Sequence, residues 1–374
     1  MSRPDDPCLP TRQETARFAR RLLAWYREHG RHDLPWQREP APYRIWISEI
    51  MLQQTRVETV IPYFERFMDR FPDLATLAAA PLDEVLGLWS GLGYYARARN
   101  LHRAAQQVME QHGGRLPDAL DALQALPGIG RSTAAAILAQ AHGRPHAILD
   151  GNVRRVLARY HAVEGWPGQG AVQSRLWRLA EAHTPPDRRV RDYTQAIMDL
   201  GATLCTRGTP CCDRCPVADG CRALAEGRVR ELPHPRPRRE LPRRYTRMVI
   251  ARAPDGSVLL ERRPPSGVWG GLWGFPEWDG QGTLEAWCRA SLGLRVAGSE
   301  RWEAIDHTFS HFHLRITPVL ARITLPGDRV MDAGERIWYI PGHPLDRGVA
   351  APVQRLLERI AADRGTRPTD RSRT

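Results

Sequence analysis

The 374-residue chain has no lysine: all 54 of its basic residues are arginine. That absence excludes Schiff-base chemistry through a lysine amine and any phosphate loop that depends on a lysine. Long hydrophobic runs are missing too. No apolar stretch approaches the roughly 18–20 residues of a membrane-spanning helix, and the first six residues, Met-Ser-Arg-Pro-Asp-Asp, carry no apolar signal-peptide core. The expectation is a soluble, cytoplasmic protein, nucleoid-associated in a bacterial cell, with no membrane partner. Cysteine is scarce, seven residues in all, and five of them fall within 205–221. A secreted disulfide framework scatters its cysteines; such a cluster in a cytosolic chain points to a metal centre. Acidic residues number only 42, leaving a net charge of +12. That charge suits a polyanionic partner without specifying one.

The length predicts two domains, and the pattern divides accordingly. Residues 13–225 read as helical, with apolar stripes such as Leu22, Leu23 and Tyr26, and Leu82, Val85, Leu86 and Trp89. Breaks fall at Pro35, Pro81, Gly91–Gly93 and Pro117. Residues 226–244 are rich in arginine and proline and read as an extended linker. Residues 245–362 turn to strands. Met248–Arg252 and Val258–Arg262 flank an Asp255-Gly256 turn, strands follow at 313–320 and 336–340, and helices are expected at 283–292 and 350–362. Residues 363–374 read as a disordered tail.

The most specific spacing is Cys205-x6-Cys212-x2-Cys215-x5-Cys221. Four thiolates within 17 residues can surround one centre. Structural zinc usually takes two close cysteine pairs, whereas here one pair has two wider arms, which favours a [4Fe–4S] cluster. Cys211 reads as a bystander, and Cys8 and Cys288 as isolated structural residues. The second motif is Leu126-Pro-Gly-Ile-Gly-Arg-Ser-Thr, a tight hairpin at Gly128 and Gly130 between two helices. It exposes backbone N–H groups at a helix N-terminus, which suit a phosphate, although a plain helix–helix turn would look the same.

Together these motifs resemble the helix-hairpin-helix DNA glycosylases with an iron–sulfur cluster, the endonuclease III-like superfamily. Within it, Trp46-Ile-Ser-Glu-Ile-Met-Leu-Gln-Gln-Thr and Gly91-Leu-Gly-Tyr-Tyr-Ala-Arg-Ala-Arg-Asn look like the MutY-type adenine DNA glycosylases. The resemblance covers residues 13–360. It implies an all-α glycosylase domain with a cluster loop, a C-terminal Nudix-like α+β domain, and a monomer acting on duplex DNA that carries adenine opposite 8-oxoguanine or guanine.

Roles follow from that resemblance, position by position. Glu49, which could otherwise be solvated or ion-paired, becomes the general acid that protonates adenine. Asp150, which by its own sequence reads as a turn or helix cap, becomes the carboxylate facing the sugar, with Asn152 beside it; two carboxylates with divided roles match glycosidic cleavage. Ser132 stands where strand-cleaving relatives carry a nucleophilic lysine, and the lysine-free composition offers no substitute. A monofunctional glycosylase that leaves an abasic site is therefore expected. Gln54 and Tyr94 are implied to enter the helix vacated by the flipped base, and Trp36 and Gln195 to line the adenine pocket; Tyr94 and Trp36 read equally as core aromatics without the family.

Val268-Trp-Gly-Gly-Leu-Trp-Gly-Phe-Pro-Glu resembles a Nudix fold, but the following segment, 284–290, has a single glutamate, a poor Mg²⁺ site. A non-catalytic binding domain is expected. Asp306-His-Thr-Phe-Ser-His-Phe-His invites a metal reading from its three histidines. The resemblance instead implies an 8-oxoguanine reader, with Phe309 wedging or stacking, Ser310 on the modified edge, and His307 and His311 supporting the loop or touching DNA. Two rivals stand beside this reading: a lyase for oxidised pyrimidines, opposed by Ser132, and an inactive lesion binder, opposed by the presence of both carboxylates.

Overall fold

The computed structural model describes residues 9–237, 240–324 and 335–365. By contacts along the backbone the chain divides into two units. One comprises Met1–Ala79 with Arg99–Arg238, the other Ala80–Ala98 with Arg239–Thr374. The second unit thus takes in a stretch that the periodicity alone assigns to the helical half.

The helices run in the order α1 (Arg12–His29), α2 (Pro35–Arg38), α3 (Pro42–Leu52), α4 (Val57–Arg70), α5 (Leu74–Ala79), α6 (Leu82–Leu88), α7 (Ala96–Gln111), α8 (Leu120–Gln124), α9 (Arg131–His142), α10 (Gly151–Tyr160), α11 (Gly170–His183), α12 (Val190–Asp199) and α13 (Arg222–Ala225). Local sequence sets many of their ends. Thr11 and Glu14 form a reciprocal capping box that starts α1. Pro35 and Pro42 open α2 and α3, where a missing N–H costs nothing. Gly143, with φ +64°, closes α9. The α1 stripe of Phe18, Leu22, Leu23 and Tyr26 packs with Leu149, Val153 and Leu157 near α10, Leu176 and Leu179 of α11, and Tyr193 and Ile197 of α12. α3 buries Ile45, Trp46, Ile47, Ile50 and Met51, nearly its whole circumference. After α12 the helix widens into a π turn over Leu200–Leu204 and ends at Cys205.

The second unit is built on a mixed sheet of β1 (Arg243–Arg252), β2 (Val258–Arg262), β3 (Trp273–Gly274), β4 (Glu277–Trp278), β5 (Arg295–Arg301), β6 (Ile305–Thr308), β7 (His313–Thr324) and β8 (Arg336–Tyr339). The path β3-β2-β1-β7-β5 carries it, with β4 on β1, β6 on β7 and β8 on β2. β1 and β7 pair in parallel from Arg243↔His313 to Arg252↔Arg322, the other pairs between these strands are antiparallel, and an isolated parallel bridge joins Trp273 to Val349. A helix, α14 (Leu284–Trp287), passes into a π turn at Cys288–Leu292, so the single helix expected over 283–292 is split. α15 (Ala351–Gly365) follows. Val249, Leu284, Cys288, Val319 and Ala321 form one apolar layer of the core. β1 begins at Arg243, two residues inside the stretch read as linker, because the ladder to β7 pairs those residues despite the neighbouring prolines. Arg238, Arg239 and most of the expected tail lie outside the described residues.

No described helix is long and apolar enough to cross a membrane.

Candidate active site

One large cleft opens on the helical unit. It is lined by Glu49, Gln54, Ser132, Asp150, Asn152, Trp36 and Gln195, with Arg31, Arg154 and Arg155 among its charged walls. Its volume of about 920 Å³ lies at the upper end of the roughly 300–1,000 Å³ of ordinary ligand pockets.

Glu49 comes from the last turns of α3, between Ser48 and Ile50, both buried. Apolar neighbours on that helix strip water from its carboxyl. Burial pushes it up to about 7, with nearby Asp150 adding to the rise and a hydrogen bond from Gln140 opposing it. That bond runs from Gln140 Nε2 on α9 to Glu49 Oε1, 3.0 Å. A carboxyl with such a pKa is substantially protonated near neutrality and can donate.

Asp150 is the N-cap of α10. Oδ1 accepts the Val153 N–H at 2.8 Å, and Oδ2 accepts from Asn152 Nδ2 at 3.2 Å. Burial raises its pKa, while the Val153 and Asn152 backbone bonds and the guanidinium groups of Arg155 and Arg154 pull it down. The cap reading and the site reading therefore describe one residue: the cap fixes the carboxylate at the cleft wall. Ser132, at the start of α9, accepts the Leu149 N–H through Oγ at 3.0 Å and so pins the segment leading into Asp150.

A further set of partners holds Asn152. Its Oδ1 accepts from Arg155 Nη2 at 2.8 Å; the same guanidinium donates to the carbonyls of Cys205 at 2.7 Å and Gly201 at 2.6 Å. A Cβ on Gly201 would sit 2.6 Å from Asn152 Cβ. Only glycine lets the π turn approach α10 this closely.

Trp36 is 3% exposed and packs edge-on to Phe64. Gln195 donates to Asp199 Oδ1 at 2.8 Å. Asp199 is itself fully buried and takes a paired interaction from Arg31, whose Nη2 lies 2.6 Å from Oδ1. Arg31, Asp199, Gln140 and Arg155 are site residues that sequence reasoning missed. Arg155 carried a local signal, lying three residues after Asn152 on one helical face. The Arg31–Asp199 pair spans 168 residues and carried none.

Beside the cleft, the hairpin at Leu126–Gly130 turns between α8 and α9. Leu126 is buried and Gly128 has φ +80°, with Asn100 so close that a Cβ would meet its Cβ at 2.8 Å. Gly130 caps α9 without a side chain, leaving first-turn N–H groups free of a side-chain partner. Gln54 is exposed with φ +62°, and Tyr94, in the other unit, is 53% exposed with φ +50°. Left-handed backbone costs a non-glycine residue about 1–2 kcal/mol, and such strain clusters at functional positions. Tyr95, not Tyr94, is the core aromatic of that pair, donating to Val349 O at 2.8 Å.

The four spaced cysteines line a second, apolar pocket with Cys211, Val156, Tyr160, Leu200 and Val217. Among the described residues no three His, Cys, Asp or Glu side chains are already arranged to hold a metal ion. The chemistry of the donor set nonetheless fits an anionic group. Burial pushes the Cys215 thiol up to about 11 and raises Cys212 and Cys221 as well. Arg159 is only 2% exposed, and its described partners are the Leu232, Thr206 and Arg207 carbonyls and Cys205 Sγ at 3.3 Å. A buried guanidinium beside this group of thiols is balanced when they are thiolates on a shared centre.

In the second unit His307, Phe309, Ser310 and His311 come together at the turn between β6 and β7. Ser310 Oγ and His311 Nδ1 are 3.3 Å apart and exposed, whereas Phe309 is half-buried among other rings.

Comparison with known proteins finds two family matches along the chain. Residues 47–182 match the HhH-GPD superfamily base excision DNA repair protein family, and residues 247–359 match the NUDIX domain. An adenine DNA glycosylase of Buchnera aphidicola (subsp. Acyrthosiphon pisum) is 36% identical, over 91% of this chain and 97% of its own length. The adenine DNA glycosylase of Homo sapiens is also 36% identical, over 80% of this chain and 66% of its own. Among solved structures, a thermostable thymine-DNA glycosylase is 28% identical with a TM-score of 0.51, covering 57% of this chain and 98% of that one.

Proposed function

The chain belongs to the adenine DNA glycosylase family, and from that premise we propose that it hydrolyses the N-glycosidic bond of adenine mispaired with 8-oxoguanine or guanine, leaving an abasic site. The observation that carries the reading is the pairing of two unlike carboxyls in one cleft. Glu49 is pushed up to about 7 with one opposing hydrogen bond, from Gln140, whereas at Asp150 burial also raises the pKa but the Val153 and Asn152 N–H groups and two guanidinium groups oppose the rise. The difference in what opposes the rise favours Glu49 as the proton donor and Asp150 as the charged partner.

Glu49 gives its proton to a ring nitrogen of the flipped adenine. The C1′–N9 bond then breaks, and its electron pair leaves with the neutral base. Asp150, held by Val153 and Asn152, faces the electron-poor sugar and stabilises its positive charge. Water adds at C1′ and gives up a proton to the Glu49 carboxylate, which resets the site. Ser132 has no amine to form an imine with the opened sugar, and no lysine elsewhere supplies one. The strand is therefore expected to stay intact.

Cys205, Cys212, Cys215 and Cys221 would hold a [4Fe–4S] cluster, which when bound cross-links residues 205–221. Arg159 would offset part of its negative charge. Phe309, Ser310 and His311, with His307, are proposed to read the base opposite adenine.

A duplex with one adenine·8-oxoguanine pair tests the reading. Product strands are scored with and without alkali. Cleavage seen only after alkali is expected. Nicking by the pure protein alone, or efficient borohydride trapping on the substrate, would overturn the assignment.

A further inference from the structure

The turn that carries Ser310 is braced by a row of rings. Phe309 stacks nearly parallel on Phe312, 4.5 Å between centroids and 21° between planes. It also packs against Trp269 at 5.4 Å. His307 closes the remaining side, edge-on to Phe309 at 4.7 Å and 5.5 Å from Trp269. An arginine lies against each end of the row, Arg263 at 5.9 Å from the Trp269 ring and Arg244 at 4.5 Å from Phe312. The Phe309 N–H donates to Phe312 O at 2.9 Å, closing the turn over its rings. Ser310 and His311 remain exposed at its tip.

Trp269 reaches this row from a separate loop between β2 and β3, in a conformation that a tryptophan rarely adopts. Its φ is +54°, where a bulky side chain is an outlier. The loop is tightly closed. Gly271 N–H donates to Pro264 O at 3.0 Å, Leu272 N–H to Trp269 O at 3.0 Å, and Arg263 N–H to Leu272 O at 2.9 Å. Arg263 is locked in turn, with Nε on Val268 O at 2.9 Å and Nη1 on Glu277 Oε1 at 2.5 Å. Glycine would meet the backbone requirement at 269 with less strain, so the backbone does not explain the tryptophan. Its side chain must. Among the described residues, the non-glycines with positive φ are Gln54, Tyr94, Ala162 and Trp269. Two of the other three are the residues expected to enter the duplex.

We propose that Trp269 is a positioning residue for recognition of the base opposite adenine: its indole is the fixed wall against which Phe309 packs at a tilt while stacking on Phe312, and that packing sets where Ser310 is presented. The inference rests on the reading of the Phe309–Ser310–His311 turn given above, and it alters the part played by Phe309. A ring flanked by Trp269 and stacked on Phe312 acts as a strut. To wedge into DNA it would first have to leave both partners.

Trp269→Gly separates position from stability, because it removes the ring and relieves the left-handed strain together. The measurement is the ratio of single-turnover excision rates on adenine·8-oxoguanine and adenine·guanine duplexes, using the full chain. Trp269→Gly is expected to lower that ratio at least tenfold without lowering the thermal unfolding midpoint. Trp269→Phe, which keeps a flat ring, is expected to retain most of it. In the Ser310→Ala background, Trp269→Gly should change the ratio by less than about threefold, since coupled residues are not additive. An unchanged ratio in Trp269→Gly, alongside a collapsed ratio in Phe309→Ala/Ser310→Ala, overturns the role of Trp269 alone. An unchanged ratio in that double variant overturns the reader itself. Where Trp269→Gly lowers the unfolding midpoint, Trp269→Leu, bulky but without a ring, is read by the same ratio and decides by the same outcomes.

Discussion

The acid role proposed for Glu49 rests on three influences that act in opposite directions. Burial and Asp150 push its pKa up, and the Gln140 amide holds it down. The protonated form is the acid, so excision should be fastest below about 7 and fall as pH rises through that value, approaching tenfold per unit. Removing the Gln140 bond leaves only the raising influences. Gln140→Leu should therefore move this falling limb to higher pH, and a limb that stays put or moves down would remove Gln140 from the account. Glu49→Gln should lower the single-turnover rate by about 10²–10⁴-fold, the range of general acid catalysis. Glu49 and Asp150 were legible because each sits in a short motif. Gln140 was not, since nothing in Leu138-Ala-Gln-Ala-His distinguishes a side chain aimed at a carboxyl from one aimed at solvent.

α10 and α11 meet at their C-terminal ends through a buried pair of imidazoles. His161 and His183 bring their Nε2 atoms to 2.8 Å, with the Phe18 ring 4.5 Å from His183 and Tyr160 edge-on to both. One ring must donate and the other accept, so the two rings cannot both be protonated. Burial holds His161 down to about 4 and His183 to about 3; Arg222 and Arg175 add to the fall for His161, and His161 adds to it for His183, while Glu14 opposes. In the unfolded chain both titrate near 6.5. Between about 6.5 and 4 the unfolded state thus binds more protons. The pair's contribution is present above about 6.5 and drains away as pH falls towards 4. The unfolding midpoint should decline over that window, and His161→Leu/His183→Leu should flatten the decline. An equally steep decline in the double variant would assign the acid sensitivity to other groups. Elements were legible where an apolar stripe recurred at helical spacing, as in α1 with Leu22, Leu23 and Tyr26. They were not where long-range pairing decided the matter. β1 claims Arg243 and Arg244 from an apparent linker only because β7 lies alongside, and nothing in Val268-Trp-Gly-Gly signals that the tryptophan takes the left-handed position.

The net charge of +12 hints at DNA, but its distribution decides what each arginine can contribute. Eight arginines face three glutamates over residues 226–247, the densest basic stretch in the chain. Treating them as one phosphate-binding strip would predict equal effects from each. The structure separates them. Arg243 is exposed at the start of β1, opposite His313, whereas Arg244 lies over the Phe312 ring at the end of the aromatic row. A phosphate contact releases counterions and adds about 0.9 to the slope of log affinity against log salt. A guanidinium committed to a ring adds little to that slope. Arg243→Gln is therefore expected to make binding less salt-dependent by about that amount and to weaken all duplexes alike. Arg244→Gln is expected to leave the slope nearly unchanged while lowering the preference for adenine·8-oxoguanine over adenine·guanine. Titrations of both variants on both duplexes at several salt concentrations distinguish the two roles. Equal slope changes for Arg243→Gln and Arg244→Gln, with no change in preference, would return both residues to general electrostatics and detach the end of the aromatic row from lesion reading.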